Sequence, residues 1–229
     1  MRIAHAVRMQ TNLTRLWTQD TSFEDWLSGL TRHLPTAAWS TLRHSFPASI
    51  LGRVRAHDAT SAEPPEVTLL ITDLVNFSHL IETMGDHAAH CLIQHHNRLL
   101  RSCLRIHGGR EATHTGDGVI SAFSNPSDAV MCAIRIQHEL RSFREMNPTV
   151  PLHARIGLHV GRPLPEEGRL FGAAVVVAVR VCSTAEPDSI LISDQVKHAL
   201  NEAISSKIHG VCSLKGLSER YRLHQLVLH

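Results

Sequence analysis

A chain of 229 residues has room for one good-sized domain and an appendage, but not for two large domains. Its 43% apolar content suffices for a packed core, and a formal net charge of +2 excludes the strongly basic surface that nucleic acid demands, while leaving cations enough for a triphosphate. No run of roughly 18 apolar residues is present to span a membrane, and Met1 to Arg8 lacks a signal-peptide core. A soluble chain is expected.

Residues 1–57 read as a small helical region. Thr21-Ser22-Phe23-Glu24-Asp25 resembles a capped helix start, Trp26, Leu27 and Leu30 supply an apolar stripe, and Pro35 and Pro47 divide the region into short helices. Residues 58–65, rich in Ala, Ser, Thr, Asp and Pro, suit a linker. From residue 66 strands and helices alternate to the end of the chain. Val67 to Thr72 is a β-rich apolar run, read as a buried strand ending at Asp73. A long amphipathic helix follows from about Asp86 to His107, its expected core face being Ala88, Cys91, Leu92, Leu99, Cys103 and Ile106, and Gly108-Gly109 stops it.

The turn Gly116-Asp117-Gly118 predicts a hairpin between Arg110 to Thr115 and Val119 to Phe123. Ser124-Asn125-Pro126 opens a helix carrying Val130, Ala133, Ile136, Leu140 and Phe143. A strand over Leu152 to Val160, a helix through Ala178 and Arg180, a strand at Ile190 to Ile192, a short helix from Ser193 and two closing strands complete the order. Strand-helix-strand-strand-helix-strand predicts an α+β fold of the ferredoxin-like βαββαβ type.

Five scattered cysteines with no CxxC pair read as reduced core residues in a cytosolic protein. The group His87, His90, His95 and His96 offers no HExxH or Cys/His pairing for zinc, and reads as surface and semi-buried helix histidines. The aspartates are more informative. Asp73 ends the first strand and Asp117 tips the hairpin, and in a ferredoxin-like sheet those strands are neighbours. Read from the residues alone, two roles stand: turn and strand-end aspartates, or a convergent pair of hard oxygen ligands for Mg²⁺ or Mn²⁺.

Ile71-Thr72-Asp73-Leu74-Val75-Asn76-Phe77-Ser78 resembles the F-A-D-[IL]-V-G-F-[ST] opening motif of class III adenylyl and guanylyl (nucleotidyl) cyclases. His107-Gly108-Gly109-Arg110 followed by Thr115-Gly116-Asp117-Gly118 resembles the family hairpin H-G-G-R…K-x-T-G-D-G. Arg155 to Gly161 resembles R-[IV]-G-[IL]-H-x-G, Phe171 to Arg180 resembles F-G-x-x-V-N-x-A-x-R, and Leu214-Lys215-Gly216-Leu217 resembles a late L-K-G turn. The motifs come in family order and cover about residues 66 to 226.

The resemblance implies a catalytic domain over residues 66–229 that cyclises a nucleoside triphosphate with two Mg²⁺ or Mn²⁺ ions at a homodimer interface. It implies that Asp73, Asp117 and the Leu74 carbonyl hold the metals. Backbone amides of Asn76, Phe77 and Ser78, together with Arg155 and Lys215, would contact the triphosphate. Arg180 would steady charge as the 3′-oxygen attacks. The sequence departs from the family at three positions of the base and ribose half: Thr113 stands for the base-reading lysine, Arg169 for its acidic partner and Val176 for the ribose-placing asparagine. One reading is an active cyclase with non-standard base selection, since Thr113 and Arg169 suit a carbonyl-rich base edge. The alternative is a degenerate cyclase kept for nucleotide binding or dimerisation. A bare interaction domain leaves Arg155, Arg180 and Lys215 unexplained.

Overall fold

The computed structural model describes residues 64–114, 116–166, 169–200 and 204–228. The expected helical region at 1–57, the linker up to residue 63 and the hairpin's Thr115 lie outside the described residues. In chain order the elements are β1 (Val67–Leu74), α1 (Phe77–Met84), α2 (Asp86–Ile106), β2 (Arg110–His114), β3 (Val119–Phe123), α3 (Pro126–Met146) and β4 (Ala154–Gly161). They continue with β5 (Leu164–Glu166), β6 (Arg169–Phe171), α4 (Ala173–Thr184), β7 (Ile190–Ser193), α5 (Asp194–Ala199), β8 (Ser206–Ser213) and β9 (Arg220–Leu226).

The main sheet runs β2-β3-β1-β4-β7-β9-β8, and every pairing in it is antiparallel except β4 with β7. Its first four strands, with α1, α2 and α3 as crossovers, are the expected ferredoxin-like unit, and β7, β9 and β8 extend it beyond β4. β5 and β6 form a separate small hairpin. The central strand β1 reads as a continuous apolar run because both faces of the sheet are covered. On one face Leu70, Leu74, Val119 and Phe123 pack with Leu92, Leu100 and Leu104 of α2 and Val130, Ile136 and Leu140 of α3. On the other, Leu69, Ile71, Ile120 and Ala122 pack with Ala178 and Cys182 of α4.

Helix ends follow local chemistry. Asn125 caps α3 by accepting a 2.8 Å hydrogen bond from the Ser127 amide, with Pro126 at the first helical position. α2 ends where Gly108 turns left-handed (φ 68°) and the Gly109 amide reaches back to the Leu104 carbonyl at 2.9 Å, a Schellman closure. Between β1 and the expected helix the structure adds a short one: Gly85 (φ 80°) separates α1 from α2.

The buried face of α2 is Ala89, Leu92, His96, Leu100, Cys103 and Leu104, which corrects the expected stripe at several positions. Cys91 and Ile106 face solvent, whereas His96 is fully buried. Residue type misled here, because a polar ring fills the core and apolar side chains sit outside it. All five cysteines are free. Among the described residues no helix is long and apolar enough to cross a membrane.

α4 lies tightly on β4 through two glycines on one strand face. A Cβ on Gly157 would sit 2.2 Å from the backbone nitrogen of Cys182, and one on Gly161 would sit 2.6 Å from the Ala174 Cβ. The glycines of the R-I-G-L-H-V-G segment therefore set how closely the helix approaches the sheet. Gly157→Ala is expected to destabilise the domain by about 2–4 kcal/mol, since backbone has to move. Urea denaturation measures this, and an unchanged midpoint would contradict the packing.

Candidate active site

Asp73 is carried to the end of β1 on the α4 face of the sheet, two residues beyond Ile71. Directly across the β1–β4 pairing stands Arg155. Its Nε and Nη2 both donate to Oδ2 of Asp73, at 2.8 and 2.6 Å. Its Nη1 donates to the Ser183 carbonyl at 3.3 Å, in the last turn of α4, where the helix dipole favours a cation. Cys182 Sγ donates to the Arg155 carbonyl at 3.4 Å, so backbone and side chain of this arginine are both tied to α4. Burial pushes the Cys182 thiol up to about 12, which makes it an inert packing group.

Asp117 sits in the connection between β2 and β3, next to the β1 end, because Val119 pairs with Thr72. Partial burial holds its pKa above the usual carboxylate range, and the Asp73 charge pushes the same way, with Arg155 opposing. Two carboxylates thus share one electrostatic environment. Asp73 Oδ1 accepts no hydrogen bond among the described residues. The partly buried Asp117 and the open oxygen of Asp73 are hard oxygen donors of the kind Mg²⁺ or Mn²⁺ takes, and no larger group of metal-ligating side chains forms among the described residues. Such an ion keeps positions for water and phosphate. Leu74 follows Asp73 with its side chain in the core, 3% exposed.

Asn76 bends the chain out of β1 in a left-handed conformation (φ 55°, ψ 32°). The Leu80 amide makes the first helical bond, 3.1 Å to the Asn76 carbonyl, leaving the Phe77, Ser78 and His79 amides without an intrahelical acceptor. Beside them opens a cavity of about 420 Å³, lined in part by Phe77, Ser78, Asp86, His90 and Asp117. Asp86 and His90, one turn apart on α2, were not expected at the site: the sequence offered Asp86 only as the start of a helix and His90 only as a helix histidine.

The base and ribose positions fall on separate elements. Thr113 pairs with Ile120, which pairs with Ile71, so Thr113 faces the same side as Asp73. Its Oγ1 is buried and has no hydrogen-bond partner among the described residues. Arg169 is exposed at the start of β6, a strand that packs beside β2. Val176 and Arg180 stand one turn apart on α4, Val176 44% exposed and Arg180 half-buried with its Nε unpartnered among the described residues. Lys215 is exposed in the β8–β9 turn, where Gly216 (φ 84°) permits the bend closed by the Leu217 amide on the Leu214 carbonyl. Within the single chain, then, hydrogen bonding joins Arg155 to Asp73, while Arg169, Val176 and Lys215 remain at the surface.

Known proteins resemble this chain over the same residues. A family model described as the adenylate and guanylate cyclase catalytic domain matches residues 60–228. Putative adenylate cyclase 3 of Rhizobium meliloti is 31% identical over 129 residues, which is 56% of this chain and 22% of that protein. The chain therefore spans about a fifth of the length of the curated relatives it matches first. Among solved structures, an adenylate/guanylate cyclase/hydrolase from Silicibacter pomeroyi is 27% identical, with a TM-score of 0.64 covering 74% of this chain and 100% of that one. The adenylyl cyclase CyaB from P. aeruginosa shares the fold at 22% identity, with a TM-score of 0.65 covering 71% of this chain and 93% of that one.

Proposed function

The chain belongs to the adenylate and guanylate cyclase catalytic domain family, and from that premise we propose that it converts a nucleoside triphosphate to a 3′,5′-cyclic nucleotide and pyrophosphate at a homodimer interface in the cytoplasm. The observation that carries this reading is the meeting of Asp73 and Asp117 at adjacent strand ends, with Asp117 partly desolvated and repelled by its neighbour. Asp73, Asp117 and the Leu74 carbonyl would hold two Mg²⁺ or Mn²⁺ ions, and such ions would supply the positive charge that activates a ribose 3′-hydroxyl and stabilises a leaving pyrophosphate.

The amides of Asn76, Phe77 and Ser78 receive the β- and γ-phosphates at the N-terminus of α1, and Arg155 and Lys215 add cationic contacts to the triphosphate. The 3′-oxygen loses its proton and bonds to the α-phosphorus as the bond from that phosphorus to the bridging oxygen breaks. Arg180 of the partner chain neutralises the charge that develops. Its half-buried place on α4 and its buried Nε, which has no partner among the described residues, support a role toward a group that the single chain does not supply. Thr113 and Arg169, on neighbouring strands, form the base-reading wall, and Thr113 Oγ1, buried without a hydrogen-bond partner among the described residues, is a polar atom for which a base edge would supply the missing partner. Residues 1–57 form the dimerising or regulatory region, joined by a linker to the catalytic domain.

Substitution of the base and ribose positions favours a second reading, a degenerate cyclase that binds nucleotide or dimerises with little turnover. Product formation from ATP, GTP, CTP and UTP with Mn²⁺, read by mass spectrometry, separates the two. A single dominant cyclic product is expected. No product from any of the four by an intact dimer would select the second reading.

A further inference from the structure

The side chain that holds Asp73 is itself a cation. Both Arg155 donors converge on one oxygen of Asp73 at 2.8 and 2.6 Å, and a third guanidinium nitrogen is anchored on the Ser183 carbonyl. The pair is set by strand register and only partly exposed, 34% for the Arg155 side chain and 29% for Asp73, so water screens it incompletely. A divalent cation approaching Asp73 meets a guanidinium already bonded to its ligand and is repelled by it. An incoming polyphosphate changes this balance, because a guanidinium bonds phosphate oxygens bidentately as well as it bonds carboxylate.

We propose that Arg155 is an intramolecular counter-ion that keeps Asp73 from taking a divalent cation until a triphosphate draws the guanidinium away, so that cation and nucleotide bind as a coupled pair. This rests on the cyclase reading above and adds a binding order to it. Arg155 has two alternative partners, the Asp73 carboxylate and the oxygens of a polyphosphate, with the Ser183 carbonyl as a third contact. The coupling is reciprocal: whatever the cation gains from the nucleotide, the nucleotide gains from the cation. The free chain then carries little metal and does not hold Mg²⁺ unproductively between turnovers.

Titration of the intact chain with Mn²⁺ in the absence of nucleotide, read by electron paramagnetic resonance, tests the first half. Arg155→Gln is expected to bind Mn²⁺ about tenfold more tightly than the unchanged protein, and Arg155→Lys to fall between. Equal affinity in all three, with melting temperatures confirming the fold, overturns the proposal. If the gained affinity disappears in Arg155→Gln/Asp117→Asn, the ion sits at the carboxylate pair; if it survives, the reading of Asp73 and Asp117 as metal ligands fails instead. A metal-free arm uses inorganic tripolyphosphate in the presence of chelator. Asp73→Asn is expected to bind it about tenfold more tightly by releasing Arg155, and adding Arg155→Gln should erase that gain. A gain that persists in the double variant reports general loss of negative charge and overturns the lock.

Discussion

Asp117→Asn is expected to lower cyclic-nucleotide formation at least about a thousandfold, and Arg180→Ala at least about a hundredfold, with neither variant melting more than about two degrees lower. The asparagine keeps the shape of the β2–β3 tip but withdraws the charge that the proposed metal-binding role requires. Burial and the Asp73 charge hold the Asp117 carboxyl above its ordinary pKa. Above the unfolded value its ionisation therefore costs the fold stability, and a neutral amide removes that cost. Melting should be unchanged or slightly higher while turnover is lost, a separation that misfolding could not produce. Mixing the two variants extends the test to the dimer. Each mixed dimer carries one site with both defects and one with neither, and half the dimers are mixed, so about a quarter of the original activity should return. Recovery places Asp117 and Arg180 of one site on different chains. Absence of recovery, with subunit exchange verified, would place the whole site within one chain.

How much of this was legible in the sequence depends on whether the determining signal is local. β1 was readable because both sheet faces are covered, so its apolar run is uninterrupted. The α3 stripe Val130, Ala133, Ile136, Leu140 and Phe143 was readable because all of it is apolar, the first four residues buried and Phe143 half-buried at its end. α2 was read with errors because burial there ignores residue type: His96 is enclosed, while Cys91 and Ile106 are outside. The β5–β6 hairpin has three-residue strands, too short for any periodicity. The site divides in the same way. Asp73 and Asp117 stand in motifs with turn and strand-end character, and their proximity followed from the expected sheet order. The Arg155–Asp73 ion pair joins residues 82 positions apart. It depends on the register of β4 against β1, and a slip of one residue would have turned Arg155 to the opposite face. Nothing local to either residue encodes that register. It is fixed jointly by Gly157 under Cys182 and by the core residues on both sides of the sheet.

Stability is expected to fall by about 3 kcal/mol for each of two histidines as pH drops from about 6.5 to about 4, and to level off below that. His96 and His159 are both buried, and burial lowers each to about 4, with His95 and His114 adding repulsion at His96. In the unfolded chain both titrate near 6.5. Between these values the unfolded state binds more protons, so acid shifts the balance toward it; above 6.5 both states are neutral at these positions and the effect vanishes. The two sites differ in how they can be relieved. His159 Nδ1 is bonded to Ser193 Oγ at 2.9 Å and its ring meets Tyr221 edge to face, so replacing it removes native contacts on the α4 side of the sheet. Neither ring nitrogen of His96 makes a well-formed hydrogen bond among the described residues, and only the adjoining Asn97 side chain lies where it favours the charged ring, against the larger effect of burial. An apolar side chain there gives up no well-formed bond and removes two buried polar atoms. His96→Leu should therefore keep the stability at pH 7.5 and remove about half of the acid-dependent loss, as measured by urea denaturation at a series of pH values. A variant that retains the full slope would show that the acid sensitivity arises elsewhere, and that His96 is not held neutral by the core.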